Sequence, residues 1–195
     1  MMKNIISKIK DKKLYLILSA FLIVLDIISK IYVQAVVKPV IYKPIIGNYL
    51  VFIYTENYGV AFGFLNNLPD SIKNIIPTVL LFIVFFAILL VFTILLNLDK
   101  TKQRLSTIGF SMIFAGAIGN FVDRLQRGYV TDFVNMGINE TIRFNYNYNV
   151  ADASITVGIT IIAIGVFLLK EDFDTSKKTI NTDNISKEDT ESKEE

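Results

Sequence analysis

Charged and amide side chains gather at the ends of apolar runs in this chain. The stretch GNFVDRLQRGYVTDF (residues 119–133) places Asn120, Asp123, Arg124, Arg127 and Asp132 directly after a hydrophobic segment, and Asn149 and Asp152 open another. Asn120 and Asp123 fall one helical turn apart and share a face. Gly128 breaks the chain, and Val130-Thr131-Asp132-Phe133 returns a carboxylate to the same boundary. Two carboxylates brought together cannot both ionise cheaply, so one pKa rises and the pair can share a proton. One member then takes a proton from water while the other polarises a carbonyl. The alternative is that each aspartate caps a helix or neutralises an arginine. For Asp123, beside Arg124, that second role is the expected one.

Composition removes competing chemistries. The 195 residues include no His and no Cys. This excludes Ser-His-Asp and Cys-His catalysis, the HExxH zinc site, thiol nucleophiles and disulfides. If the chain is a hydrolase, carboxylates, lysines or hydroxyls must do the work. A net charge of +2 gives no general case for nucleic acid as a partner.

The elements that must position these residues are membrane spans. The chain is 52% hydrophobic, with a mean hydropathy of +0.49, well above a soluble domain. A span needs about 20 helical residues. Runs of that kind lie near 14–33, 75–96, 105–122 and 150–169. The first is read as a retained helix, because it carries Asp26 and Lys30, outlasts a signal-peptide core and precedes no small-residue cleavage site. Lys3, Lys8, Lys10, Lys12 and Lys13 precede it, and Lys100, Lys102 and Arg104 fill the loop after the second span. Positive loops stay inside, so both termini are expected in the cytoplasm, with connections 34–74 and 123–149 outside. Asp123, Asp132 and Asp152 are then expected at one outer boundary. Arg124, Arg127 and Arg143 lie there against the charge trend, which points to specific partners.

Within the first outer connection, Val36–Ile46 and Tyr49–Thr55 read as short strands, punctuated by Pro39, Pro44 and Gly47. Residues 1–13 form a basic cytoplasmic N-terminus. Residues 170–195, rich in Asp, Glu, Lys, Ser and Thr, read as a disordered cytoplasmic tail.

Ionisable groups inside a span need a reason, at about 2.5–3.5 kcal/mol each. Asp26 and Lys30 are i and i+4 and can pair. That pair either makes the helix insertable or orients groups at an outer site through Lys30. Ser29 and Lys30 are adjacent, point about 100° apart and do not form a Ser-Lys dyad. In the third span, Ala115, Gly116 and Gly119 allow another helix to approach closely. A proton-relaying transporter would hold its carboxylates near mid-membrane on facing helices, whereas Asp132 and Asp152 sit at one boundary. A binding protein without activity would lack one of the two carboxylates that the resemblance given next implies as catalytic, and both are present.

Five motifs now accumulate: Asp26-x-x-Ser29-Lys30, Asn57-x-Gly59-x-Ala61-Phe62-Gly63, Gly116-x-x-Gly119-Asn120-x-x-Asp123-Arg124, Val130-x-Asp132-Phe133 and Asn149-x-Ala151-Asp152. In this order and at these separations they resemble the signal peptidase II family of bacterial integral-membrane aspartic peptidases, over roughly residues 14–169. The resemblance implies a mainly α membrane fold: a four-transmembrane-helix bundle with a small extracytoplasmic β-sheet cradle. It implies Asp132 and Asp152 as the catalytic dyad. Asn57, Gly59, Asn120, Arg124 and Asn149 are implied around the substrate and dyad, and Asp26, Lys30 and Asp123 in support. No cofactor and no metal is implied. The substrate would be a prolipoprotein carrying diacylglycerol on its lipobox cysteine, cut just before that residue by a monomeric enzyme at the outer face of the cytoplasmic (inner) membrane, amid membrane lipids. The chain departs from the family pattern at Ile27, at Val60, in Asn145–Asn149 (NYNYN) and in its longer tail. None of these removes a catalytic group.

Overall fold

A backbone in lipid must satisfy its own hydrogen bonds, so long aliphatic runs form helices. A computed structural model of the chain describes residues 2–58, 70–139 and 142–168. A short helix α1 (Met2–Asp11) meets α2 (Lys13–Tyr32) at Lys12, and α3 (Asp70–Asn97), α4 (Arg104–Arg127) and α5 (Val150–Leu168) follow. Among the described residues, the segments Lys13–Val37, Thr78–Asn97, Arg104–Arg127 and Val150–Leu168 are each long and apolar enough to cross a membrane. Gly59, the rest of the Gly59–Gly63 motif and the 170–195 tail lie outside the described residues.

The expected strand over 36–46 begins only at Tyr42. The end of α2 runs on through one π turn, Val33–Val37, closed by the Lys38 N–H donating to the Val33 carbonyl at 2.9 Å. Val33 and Val37 recur one turn apart, and both are fully buried against Phe133. Burial of that face outweighs the β-propensity of valine. Pro39, which lacks an N–H to continue a helix, then follows.

Three antiparallel strands come next in the order β1 (Tyr42–Ile46), β2 (Leu50–Asn57) and β3 (Val130–Met136). Gly47, at φ 48°, makes the β1–β2 turn. In the β2–β3 ladder Thr55 pairs with Asp132, Glu56 with Thr131 and Asn57 with Val130, beyond a bulge after Phe52. Successive strand residues face opposite sides. Phe133 therefore enters the core, its ring edge-on to Phe52 at 5.1 Å, while Asp132 faces the other way.

The helix α4 contacts the other three long helices. Its buried positions are small or polar: Ser106, Thr107, Gly109, Ser111, Ala115, Gly116, Gly119, Asn120 and Asp123. Small side chains let transmembrane backbones approach. Ser19 Oγ on α2 donates to the Ser111 carbonyl at 2.7 Å, and Phe92 on α3 stacks on Phe114 at 5.1 Å. A methyl on Gly109 would stand 2.5 Å from the Gly158 carbonyl oxygen, and one on Gly116 would collide with the Ala151 carbonyl. The small-residue motif thus admits the close approach its spacing suggested, with Gly116 against α5 and Gly119 against Asp26 of α2 as well.

Candidate active site

Three elements end at one place: the C-terminal turns of α4, the start of β3 and the N-terminus of α5. Gly128, at φ 79°, caps α4 in the left-handed conformation, its N–H donating to the Arg124 carbonyl at 2.8 Å. This sharp stop turns the chain straight into β3. The segment before α5 then returns along β3, with Val134 and Tyr148 exchanging hydrogen bonds at 2.7 and 3.1 Å. Asn149 is thereby set beside Asp132.

Asn149 also caps α5. The Asp152 N–H donates to Asn149 Oδ1 at 2.8 Å, and the Asn149 N–H reaches back to Asp152 Oδ2 at 3.3 Å. This reciprocal arrangement is a capping box with aspartate at the third helical position. The side-chain amide of Asn149 donates to Asp132 Oδ1 at 2.7 Å. One asparagine therefore bonds both carboxyl groups. Asn57 on β2 donates to the other oxygen, Asp132 Oδ2, at 2.8 Å, and Asn120 on α4 donates to Asp152 Oδ1 at 2.7 Å. Amide groups thus hold all four carboxyl oxygens of the two aspartates, and Asn149 links one to the other. Asp132 is buried, and Asp152 is partly buried.

Burial and the neighbouring Asp152 charge push the Asp132 carboxyl up to about 6, against the donors Asn57 and Asn149, which favour its ionised form. A carboxyl raised in this way beside a second carboxyl fits a pair sharing one proton.

Behind the pair stands a cation. Lys30 Nζ lies 2.8 Å from Asp26 Oδ2, and it donates to Asn120 Oδ1 at 3.0 Å. An ammonium only donates, so it fixes the amide of Asn120 with its oxygen toward Lys30 and its NH2 toward Asp152. Asp26 Oδ1 accepts the Ala151 N–H at 2.9 Å, tying α2 to the first turn of α5. The pair predicted from i,i+4 spacing exists and reaches the site through Asn120. Ser29 Oγ donates instead to the Asp26 carbonyl at 2.8 Å, away from any dyad with Lys30.

Asp123 has a structural role, with a different partner from its neighbour Arg124. It ion-pairs with Arg127, one turn on, accepts the Thr131 N–H at 2.6 Å and lies 3.7 Å from Lys30 Nζ. It thus joins the end of α4 to β3 and α2. Arg124 is half-buried, with its Nε lacking a hydrogen-bond partner among the described residues, and the charges that attract it are Asp152, Asp132 and Asp123. Arg143 does have specific partners, donating to Asn135 Oδ1 at 2.7 Å and to the Asn48 carbonyl at 2.6 Å.

Sequence reading passed over Thr131, which is fully buried. Its N–H holds Asp123, and its hydroxyl accepts from Gln34 at 2.9 Å. Its place directly before Asp132 in a strand was the available signal. The capping box was also legible, as Asn149-x-x-Asp152 has the required three-residue offset.

A family model described as signal peptidase (SPase) II matches residues 18–168. The lipoprotein signal peptidase of Buchnera aphidicola subsp. Acyrthosiphon pisum (strain Tuc7) is 34% identical over 162 residues, covering 83% of this chain and 96% of that one. That of Aquifex aeolicus (strain VF5) is 35% identical over 162 residues, covering 83% and 90%. A solved bacterial membrane enzyme at 23% identity superposes with a TM-score of 0.67 over 82% of this chain and 91% of that one, and so shares the fold. Family match, relatives, four-span bundle and carboxyl pair agree: this multi-pass bacterial membrane protein belongs to the signal peptidase II family.

Proposed function

We propose that Asp132 and Asp152 are the catalytic dyad of a membrane aspartic endopeptidase that removes signal peptides from prolipoproteins. The observation that carries this reading is Asn149, bonded at once to Asp132 by its side chain and to Asp152 by its backbone. Asp132, whose carboxyl is pushed up to about 6, holds the shared proton and donates it to the scissile carbonyl oxygen. Asp152 takes a proton from water, and the oxygen of that water bonds to the carbonyl carbon. On collapse, Asp152 returns its proton to the leaving amine, and Asp132 recovers one from the tetrahedral intermediate.

The scissile bond is the one just before a diacylglyceryl-modified cysteine. A signal peptide is itself a membrane helix, so its cleavage point comes to the boundary where α4, β3 and α5 converge. Basic residues at the other end of the bundle favour both termini in the cytoplasm and the dyad at the outer face of the cytoplasmic membrane. Asn57 and Arg124 are the substrate-facing groups, Asn120 and Asn149 orient the dyad, and Asp26, Lys30 and Asp123 hold the frame. Gly59 is assigned to the substrate cradle on the family motif alone. The enzyme acts as a monomer in this reading.

The test is cleavage of one prolipoprotein, with and without its diacylglyceryl group, by the purified enzyme in lipid. The reading expects release of the signal peptide from the lipidated substrate. Equal cleavage of the unlipidated form would contradict the substrate class.

A further inference from the structure

At the end of the bundle opposite the carboxyl pair, α1 joins α2 through Lys12 alone. At 100° per residue, Ile5, Ile6 and Ile9 fall within an arc of about 100°, with Lys10 beyond one edge and Lys8 beyond the other. The polar side of α1 is pinned. Lys8 Nζ donates to Asn97 Oδ1 at 2.5 Å, Lys12 Nζ to the Leu98 carbonyl at 2.7 Å, and Lys100 pairs with Asp11. These bonds hold α1 against the end of α3 and decide which face turns outward. Ile5, Ile6 and Ile9 remain 43%, 52% and 37% exposed. Just past Lys12 the exposed apolar surface of α2 begins with Leu14 and Ile17, so the isoleucine face continues a surface that meets lipid.

Charge selects the lipid. Lys10, just past the isoleucine arc of α1, and Lys13, the first residue of α2, are exposed. Residues 170–195 are acidic and could meet lysines, yet they carry only Phe173, Ile180 and Ile185 as large apolar residues. A leaflet offers both an acyl boundary and phosphate headgroups.

We infer that α1 is an interfacial anchor, with Ile5, Ile6 and Ile9 in the acyl boundary and the exposed Lys10 and Lys13 on anionic phospholipid headgroups. It fixes the height of α2 in the bilayer, and with it the depth of Lys30 and Asp26.

The chain has no cysteine, so Ile6→Cys and Ser7→Cys each give one labelling site. Both are spin-labelled in the full chain, in bilayers of phosphatidylcholine with or without phosphatidylglycerol. The Ile6 label should meet dissolved oxygen more readily than an aqueous nickel relaxant, and the Ser7 label the reverse. Preference for spin-labelled phosphatidylglycerol over phosphatidylcholine should fall about fivefold in Lys10→Glu. Water exposure at Ile6, or an unchanged lipid preference in Lys10→Glu, overturns the inference. Dipolar broadening between Ile6 labels on two copies overturns it in favour of self-association. Loss of the apolar signature on removing residues 170–195 overturns it in favour of the tail. Neither label touches the carboxyl pair, so these outcomes are independent of cleavage.

Discussion

Asn149 and Asp152 cap each other, the Asp152 N–H on Asn149 Oδ1 at 2.8 Å and the Asn149 N–H on Asp152 Oδ2 at 3.3 Å. The residue proposed as base is therefore also part of the helix start. The same asparagine reaches Asp132, so folding of the α5 N-terminus and alignment of the pair are one event. Substitutions at Asn149 can separate the two roles. Asn149→Ser keeps an acceptor for the cap but loses the donor to Asp132. Asn149→Ala loses both and should cost about 1 kcal/mol more in stability. Both should lower kcat by at least about a hundredfold if alignment is what matters. Thermal unfolding and cleavage rates measured in parallel check the separation; a serine variant with full activity would refute the aligning role.

The raised pKa of Asp132 has a pH signature. With the carboxyl at about 6, the shared proton leaves as pH rises through that value, and kcat/KM of the free enzyme should fall on the alkaline side. Asn57 donates to Asp132 and favours its ionised form. In Asn57→Ala the descending limb should therefore move to higher pH. Stability carries the same sign. A pKa raised on folding contributes stability that is fully present below the unfolded value, about 4, and is lost as pH rises through about 6. The Asp132→Asn variant should lack that decline in a melting series across pH.

The α4–α5 seam offers a positional control. Gly116→Ala pushes against the Ala151 carbonyl, next to Asp152, and Gly109→Ala against the Gly158 carbonyl, deeper in the bundle. Overpacking of either should cost about 1–3 kcal/mol. Only Gly116→Ala should also lose activity in the protein that remains folded, because only there does the displaced backbone adjoin Asp152, one of the two proposed catalytic carboxyls. Equal kcat losses in both variants would show that the seam acts globally.

Lys30 is expected to act by holding Asn120. Lys30→Met leaves Asp26 buried at 1% exposure without its cation and should destabilise by about 3–5 kcal/mol. Adding Asp26→Asn removes the stranded charge and should restore folding, while the Asn120 oxygen keeps only the donor from Asn149, at 3.2 Å. The double variant is thus predicted to fold and insert yet cleave slowly. Recovery of normal kcat with folding would reduce Lys30 to a purely structural group.

Much of this was written in residue spacing. Four apolar runs gave four spans, Asp26 and Lys30 gave their pair, and Asn120 and Asp123 gave a shared face. Other features depended on contacts that spacing does not encode. Asp123 looked tied to the adjacent Arg124, but helix geometry sends neighbours about 100° apart and brings Arg127 onto the same face. That much could have been deduced. The π turn at Val33–Val37 could not, because its cause is Phe133, about a hundred residues away and reached only through β3. The bridge from Tyr148 to Val134, which brings Asn149 to Asp132, likewise needs the strand in place first.

The dyad itself is tested most directly by replacing each carboxyl with its amide. Asp132→Asn and Asp152→Asn keep size and much of the hydrogen bonding, so both proteins should fold and insert. The measurement is the rate of signal-peptide release from a lipidated prolipoprotein, with membrane insertion verified for each variant. Both variants are predicted to lose cleavage entirely. Near-normal release by either one would contradict a mechanism that needs the two aspartates together.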